Sequence, residues 1–172
     1  GATLCISFAE NSGDVAREGT VRLESSDSQL SALLSVKQHE KREEYMQLTY
    51  KTVDRKALDM NWDNVFNANV VSNIYSNGEG VLKFDATLTS INQEAFYENT
   101  ALSTIILPES LQTIGSFAFT GCSYLVSANI PQRVKRIEMM AFAYCNKLEE
   151  IVIPDSVQEI EESAFCGCSG LK

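Results

Sequence analysis

Histidine is nearly absent from this chain. His39 is the only one among 172 residues, and it sits in a charged H-E-K-R-E-E stretch. A Cys-His or Ser-His catalytic pair needs a rigid, buried imidazole with an orienting acid, which such a stretch does not offer. P-loop, G-x-G-x-x-G, G-x-S-x-G and EF-hand patterns are missing as well. No apolar run approaches the roughly 20 residues of a membrane-spanning helix. Positive charge is scarce: 14 Lys and Arg stand against 23 Asp and Glu, for a formal charge of −9. That balance argues against nucleic acid or anionic lipid as partner, since both need basic patches. The cluster of Lys37, Lys41 and Arg42 is interrupted by glutamates and reads as a solvated linker. Cysteine is present in an odd number, five, which does not look like a disulfide framework. The sequence therefore leads us to expect no enzyme, no cofactor, no metal site and no membrane-inserted segment. Gly1 reads as a residue left by tag cleavage, with any leader or lipid-anchor segment removed or never included.

What is present is a repeat. Ile91, Ile114, Ile137 and Ile160 recur every 23 residues, as do Phe96, Phe119, Phe142 and Phe165, each preceded by alanine. Leu102, Leu125, Leu148 and Leu171 keep the interval, and so do Pro108, Pro131 and Pro154. Periodicity of this kind predicts a mainly β solenoid, whose units cannot bury their apolar face alone and must stack. In the unit that opens at Leu102, Ile105 and Leu107 should face the core, and Thr104 and Ile106 the open side of the sheet. Proline at 108 cannot donate to a ladder and should end that strand. A shift of 23 back from Ile105 and Leu107 lands on Leu82 and Phe84, so a degenerate first unit begins near Val81 and four strands should stack. Cys122, Cys145 and Cys168 form a column with Asn99 in the same slot. A line of thiols without histidine does not make a zinc site, and buried free thiols acting as small apolar fillers is the favoured reading. Cys166 should point outward.

At these residues the chain resembles a known family. The strings I-P-D-S-V-x-x-I-x-x-x-A-F-x-G-C-S-G-L at 153–171 and L-P-E-S-L-Q-T-I-G-S-F-A-F-T-G-C-S-Y-L at 107–125 are similar to BspA-like leucine-rich repeats. The resemblance covers about 79–172. The middle unit departs from it with Ala128 for a large aliphatic and Gln132-Arg133 for the acidic-Ser pair.

Upstream, alternation near Tyr45–Lys51 and Val70–Tyr75 predicts extended segments, and Asn77-Gly78 between apolar runs predicts a tight turn. The stretch F-x-A-N-V-V-S-N-x-Y-x-N-G-x-G at 66–80 resembles the segment that precedes the first repeat in this family. We read 41–80 as linker and N-terminal cap, and 81–172 as the repeats. Asp54, Asp59, Asp63 and Trp62 admit an acidic or sugar-binding patch, but a polar loop with one packed Trp is the simpler reading. Residues 1–40 read as three strands, Thr3–Phe8, Gly19–Glu24 and Leu30–Val36. They resemble the second half of a BACON domain, an Ig-like β-sandwich. Three strands cannot cover both faces of a sandwich, so part of that domain is expected to be missing.

The resemblance implies a non-catalytic, exported bacterial binding protein, either secreted or held at the cell surface through an outer-membrane anchor. It would contact host matrix protein, mucin glycan or another cell. Its sheet face would present Lys83, Thr104, Ile106, Ser127, Asn129, Glu150 and Val152. The rival readings are a glycan-binding accessory module, with Trp62 as its evidence, and a structural spacer. The paired carboxylates Glu149-Glu150 and Glu161-Glu162 read as solvated surface, not as a glycosidase pair. The array stops at Leu171-Lys172 in mid-unit, which predicts an exposed edge and weak end-to-end dimers.

Overall fold

In the computed structural model, which describes residues 17–24, 31–38 and 46–172, the 23-residue period becomes ladders of hydrogen bonds between successive units. The chain divides into two units, 1–43 and 44–172. Among the described residues there is no helix.

The first unit contains an antiparallel hairpin of β1 (Arg17–Glu24) and β2 (Ser31–Gln38), with Arg17 opposite Gln38 and Glu24 opposite Ser31. Both strands run two residues beyond the positions that the apolar pattern marks, β1 at its start and β2 at its end. The expected strand at Thr3–Phe8 and the linker around His39 lie outside the described residues.

The second unit holds two sheets. One is parallel and four-stranded: β6 (Ser90–Ile91), β8 (Thr113–Ile114), β10 (Arg136–Ile137) and β11 (Glu159–Ile160). Its register sets Ile91 against Ile114, Ile114 against Ile137, and Ile137 against Ile160, so the four periodic isoleucines form one row. After each periodic proline a turn closes, as in Leu111 N–H to Pro108 C=O at 3.0 Å and Val134 N–H to Pro131 C=O at 3.1 Å. The phenylalanines stack face to face with ring centroids 5.1, 5.0 and 5.5 Å apart and planes within 9° of parallel. Strand spacing dictates this geometry, because equivalent side chains on stacked units cannot sit farther apart than the ladder allows.

The backbone between strands carries a second period. Glu94, Phe117, Met140 and Ser163 have φ between 53° and 59°, again at intervals of 23. Glu98, Gly121, Tyr144 and Gly167 are left-handed too. In the first three members of each set, this conformation turns the N–H toward the next unit. Phe117 N–H reaches Met139 C=O at 3.0 Å, and Gly121 N–H reaches Ala143 C=O at 2.8 Å. Left-handed backbone costs a side-chain-bearing residue roughly 1–2 kcal/mol, and the inter-unit bonds offset it.

The other sheet has five strands in the order β4 (Val70–Ser76), β5 (Glu79–Phe84), β3 (Gln47–Thr52), β7 (Leu102–Ile106) and β9 (Ser127–Ala128). This order corrects the expectation of four directly stacked repeat strands. β5, the strand of the degenerate first unit, does not pair with β7, because β3 lies between them and is antiparallel to both. β3 fits beside β5 because its Tyr50 ring takes the space that a side chain at Gly80, directly opposite, would need. Leu48 and Tyr50 are buried on the core side, while Gln47, Thr49 and Lys51 face outward. The β4–β5 hairpin turns at Asn77 (φ 51°) and Gly78 (φ 83°), as the Asn-Gly pair predicts.

The cap closes the other sheet. Phe66 bridges Ile91 in antiparallel fashion, and Asn67 Oδ1 accepts from Thr89 and Ser90 N–H at 2.7 and 2.8 Å. Trp62 stacks on Phe66 at 6.0 Å and meets the edge of Phe96 at 6.2 Å, covering the end of the phenylalanine column.

Candidate binding face

The outward side chains of the five-stranded sheet fall into three rows across the strands. The first is polar: Lys51 opposite Thr104, Thr104 opposite Ser127, and Ser127 bridged to Glu150. The second is largely apolar: Ile74 opposite Val81, Val81 opposite Thr49, and Thr49 opposite Ile106. The 23-residue period extends that row to Asn129 and Val152. Ile74, Ile106 and Val152 are 60, 58 and 67% exposed, so the row is an apolar stripe left open to solvent. The third row is Ser72, Lys83 and Gln47, polar again.

Six of the seven residues expected on the face belong to the first two rows. Lys83 is exposed on β5, but β3 separates it from the repeat strands, and it belongs to the third row. Asn129 has a different role from its neighbours. Its Oδ1 accepts from Leu107 N–H at 2.7 Å and its Nδ2 donates to Leu107 C=O at 3.2 Å. It ties the end of β7 to the next unit and has little left to offer a partner. Gln47, Thr49, Lys51 and Ile74 belong to the face without having been expected there. Their alternation was visible in the sequence, but nothing in it says that β3 inserts inside the repeat sheet instead of capping its edge.

The other candidates resolve as packing or capping groups. Trp62 is partly buried in the aromatic cluster, with one ring face stacked on Phe66. Glu161, one of the paired carboxylates, caps Met139 N–H at 3.1 Å, and Glu138 accepts from Ser116 N–H and Oγ at 3.0 Å. The cysteines are more than fillers. The Cys122, Cys145 and Cys168 thiols donate to the carbonyls of Phe96, Phe119 and Phe142 at 3.0, 3.2 and 3.0 Å. Burial pushes the Cys122 thiol up to about 12, so it stays protonated and keeps donating. Cys145 is raised too, by its hydrogen bond to Cys168 and by burial. Cys168, at the half-buried end of the column, is lowered, because its thiolate can accept from Cys145 once that S–H turns from Phe119 C=O. In the first unit Asn99 takes this slot, and its Nδ2 reaches Met60 Sδ of the cap at 3.0 Å. Cys166 is exposed, as expected. Among the described residues no three His, Cys, Asp or Glu side chains converge as metal ligands. Among them, too, no helix is long and apolar enough to cross a membrane.

The family described as BspA type leucine-rich repeat region matches residues 72–172, in six copies. The chain is similar to the crystal structure of a leucine-rich repeat protein of T. pallidum, with 33% identity and a TM-score of 0.50 over 51% of this chain and 41% of that one. It is also similar to a leucine-rich repeat protein of Bacteroides ovatus, with 29% identity and a TM-score of 0.50 over 66% of this chain and 28% of that one. The chain thus spans less than half the length of either relative. Among curated proteins none matches.

Proposed function

The chain belongs to the BspA-type leucine-rich repeat family, and from that premise we propose that it binds protein through the open face of its five-stranded sheet, without catalysis. The observation that carries this reading is the apolar row from Ile74 to Val152, flanked by the polar row of Lys51, Thr104, Ser127 and Glu150 and by that of Ser72, Lys83 and Gln47. An apolar stripe rimmed by polar groups is the usual anatomy of a protein contact. The partner class is a host extracellular protein or a protein on another cell. The setting is a bacterial surface or secreted one, and it rests on the family resemblance.

Trp62, on which the glycan-accessory reading rests, stacks on Phe66 and meets the edge of Phe96, a packing role that favours the protein-binding reading.

The test is binding of the protein to immobilised matrix proteins and mucins beside an Ile74→Asp/Ile106→Asp double variant. Binding to one protein that the variant loses supports the face. Binding that the variant retains rejects it.

A further inference from the structure

A cleft of about 490 Å³ opens at one end of the five-stranded sheet, between the β4–β5 turn and the loop after β3. Its walls are Lys51, Thr52, Arg55, Tyr75, Asn77, Gly78 and Ser103. In a chain of net charge −9, both charged groups in these walls are cations. Among the described residues, neither Lys51 nor Arg55 is engaged in an ion pair. We propose that this cleft binds an acidic sugar residue, with Arg55 and Lys51 on its carboxylate and Asn77 and Ser103 on its hydroxyls.

The chemistry follows from the wall. A guanidinium presents parallel N–H donors that match a carboxylate, and a nearby ammonium adds a second charge without geometric demand. Neutral donors and acceptors beside a cation pair suit a ligand that carries hydroxyls as well as charge. The volume falls in the range of about 300–1,000 Å³ common to small-ligand sites, enough for one or two sugar rings. The site is also held in shape before any ligand arrives. Thr52 Oγ1 donates to Lys56 C=O at 2.8 Å and accepts Lys56 N–H at 3.1 Å, which fixes the loop bearing Arg55. Asp54, the nearest carboxylate in sequence, accepts from Lys56 N–H at 3.2 Å and is not part of the wall. At the turn, a Cβ on Gly78 would meet nothing within 4 Å, so this lip of the cleft is open to an entering ring. Such a ligand stands apart from the protein partner of the apolar row, although Lys51 borders both.

The experiment titrates the full chain with glucuronic acid, glucose, sodium sulfate and an acidic dipeptide, following backbone amide resonances. We expect glucuronic acid to shift Asn77, Gly78 and Ser103 at millimolar concentration, and glucose to leave them in place. Arg55→Gln should weaken glucuronic acid binding by about tenfold, the loss of one charge-assisted contact. Equal shifts from sulfate or from the dipeptide would overturn the sugar assignment. Shifts from glucose of the same size, or an Arg55→Gln variant that binds as wild type, would overturn the site. So would the absence of any shift in a protein with a native spectrum.

Discussion

The ring of Tyr50 occupies the space that any side chain at position 80 would need: a Cβ on Gly80 would lie 2.1 Å from Tyr50 Cζ. This one pair explains how a strand from the cap fits inside the repeat sheet. Tyr50 lies across from Gly80 on β5, passes its ring over the glycine, and is buried. Its hydroxyl then donates to Asn73 Oδ1 at 2.5 Å and accepts from Leu58 N–H at 3.1 Å. Asn73 Nδ2 donates to Leu58 C=O at 2.7 Å, closing the triangle. Burial raises the Tyr50 phenol above its ordinary value despite these bonds, so it remains a donor through the neutral range.

The first prediction concerns that fit. Gly80→Ala should destabilise the protein by at least the roughly 1–3 kcal/mol typical of an overpacked core, since the atoms in the way belong to a ring pinned at its far end. Urea denaturation should show a lower midpoint. Weakened β3–β5 pairing should appear as faster amide exchange at Leu48 and Tyr50.

A second prediction uses the phenylalanine column. Phe119 is fully buried between Phe96 and Phe142, whereas Phe165 has a ring on one side only and is partly exposed. Phe119→Ala should cost about 3–5 kcal/mol, because both neighbours lose contacts and the cavity cannot collapse in a ladder of fixed spacing. Phe165→Ala should cost clearly less. Equal losses in chemical denaturation would mean that the column does not transmit packing along the array.

The repeats were legible in the sequence because one physical constraint, stacking, writes itself at every twenty-third residue. Ile91 to Ile160 and Phe96 to Phe165 could be read directly, and so could the outward positions Thr104 and Ile106. The insertion of β3 was not legible. Leu48 and Tyr50 alternate like any half-buried strand, and alternation carries no information about which neighbours a strand will choose. The structural bonds of Asn129 were not legible for a related reason. Its position on the face followed from the period, but its bonds to Leu107 depend on where a backbone ends. Gly80 gave no sign of its role, because the ring it accommodates lies 30 residues away in the chain.

A third prediction is a pH dependence. Asp85 takes the slot that proline fills in later units, and its carboxylate clamps the cap. Oδ2 accepts Asn69 Nδ2 at 2.7 Å and Oδ1 accepts Asn69 N–H at 2.9 Å. The side-chain amide and then the backbone N–H of Asn69 hold this carboxyl below its ordinary value. A depressed folded value means that the clamp contributes fully above the unfolded value of about 3.9. The contribution is lost as pH falls through the folded value. Asp85→Asn should therefore lower the melting temperature at pH 7, and the gap from wild type should narrow as the solution is taken below pH 4. A gap that is constant with pH would show that the Asp85 carboxylate has no part in the clamp.

The last prediction separates the two kinds of residue that share the face. Asn129 and Ile106 lie one repeat apart on the same row, yet one bonds both polar groups of Leu107 and the other touches water. Removing the Asn129 amide leaves the N–H and C=O of a buried residue without those partners, so Asn129→Ala should cost about 1–3 kcal/mol. Ile106→Asp replaces an exposed apolar group by a charge and should change stability by less than about 0.5 kcal/mol. Against a protein partner the order reverses. The aspartate would place an unpaired charge at the centre of the contact and abolish binding, while the asparagine variant, still folded, would retain most of it. Melting curves and binding isotherms on the same two variants decide the matter, because a face that were merely structural would show the two losses moving together.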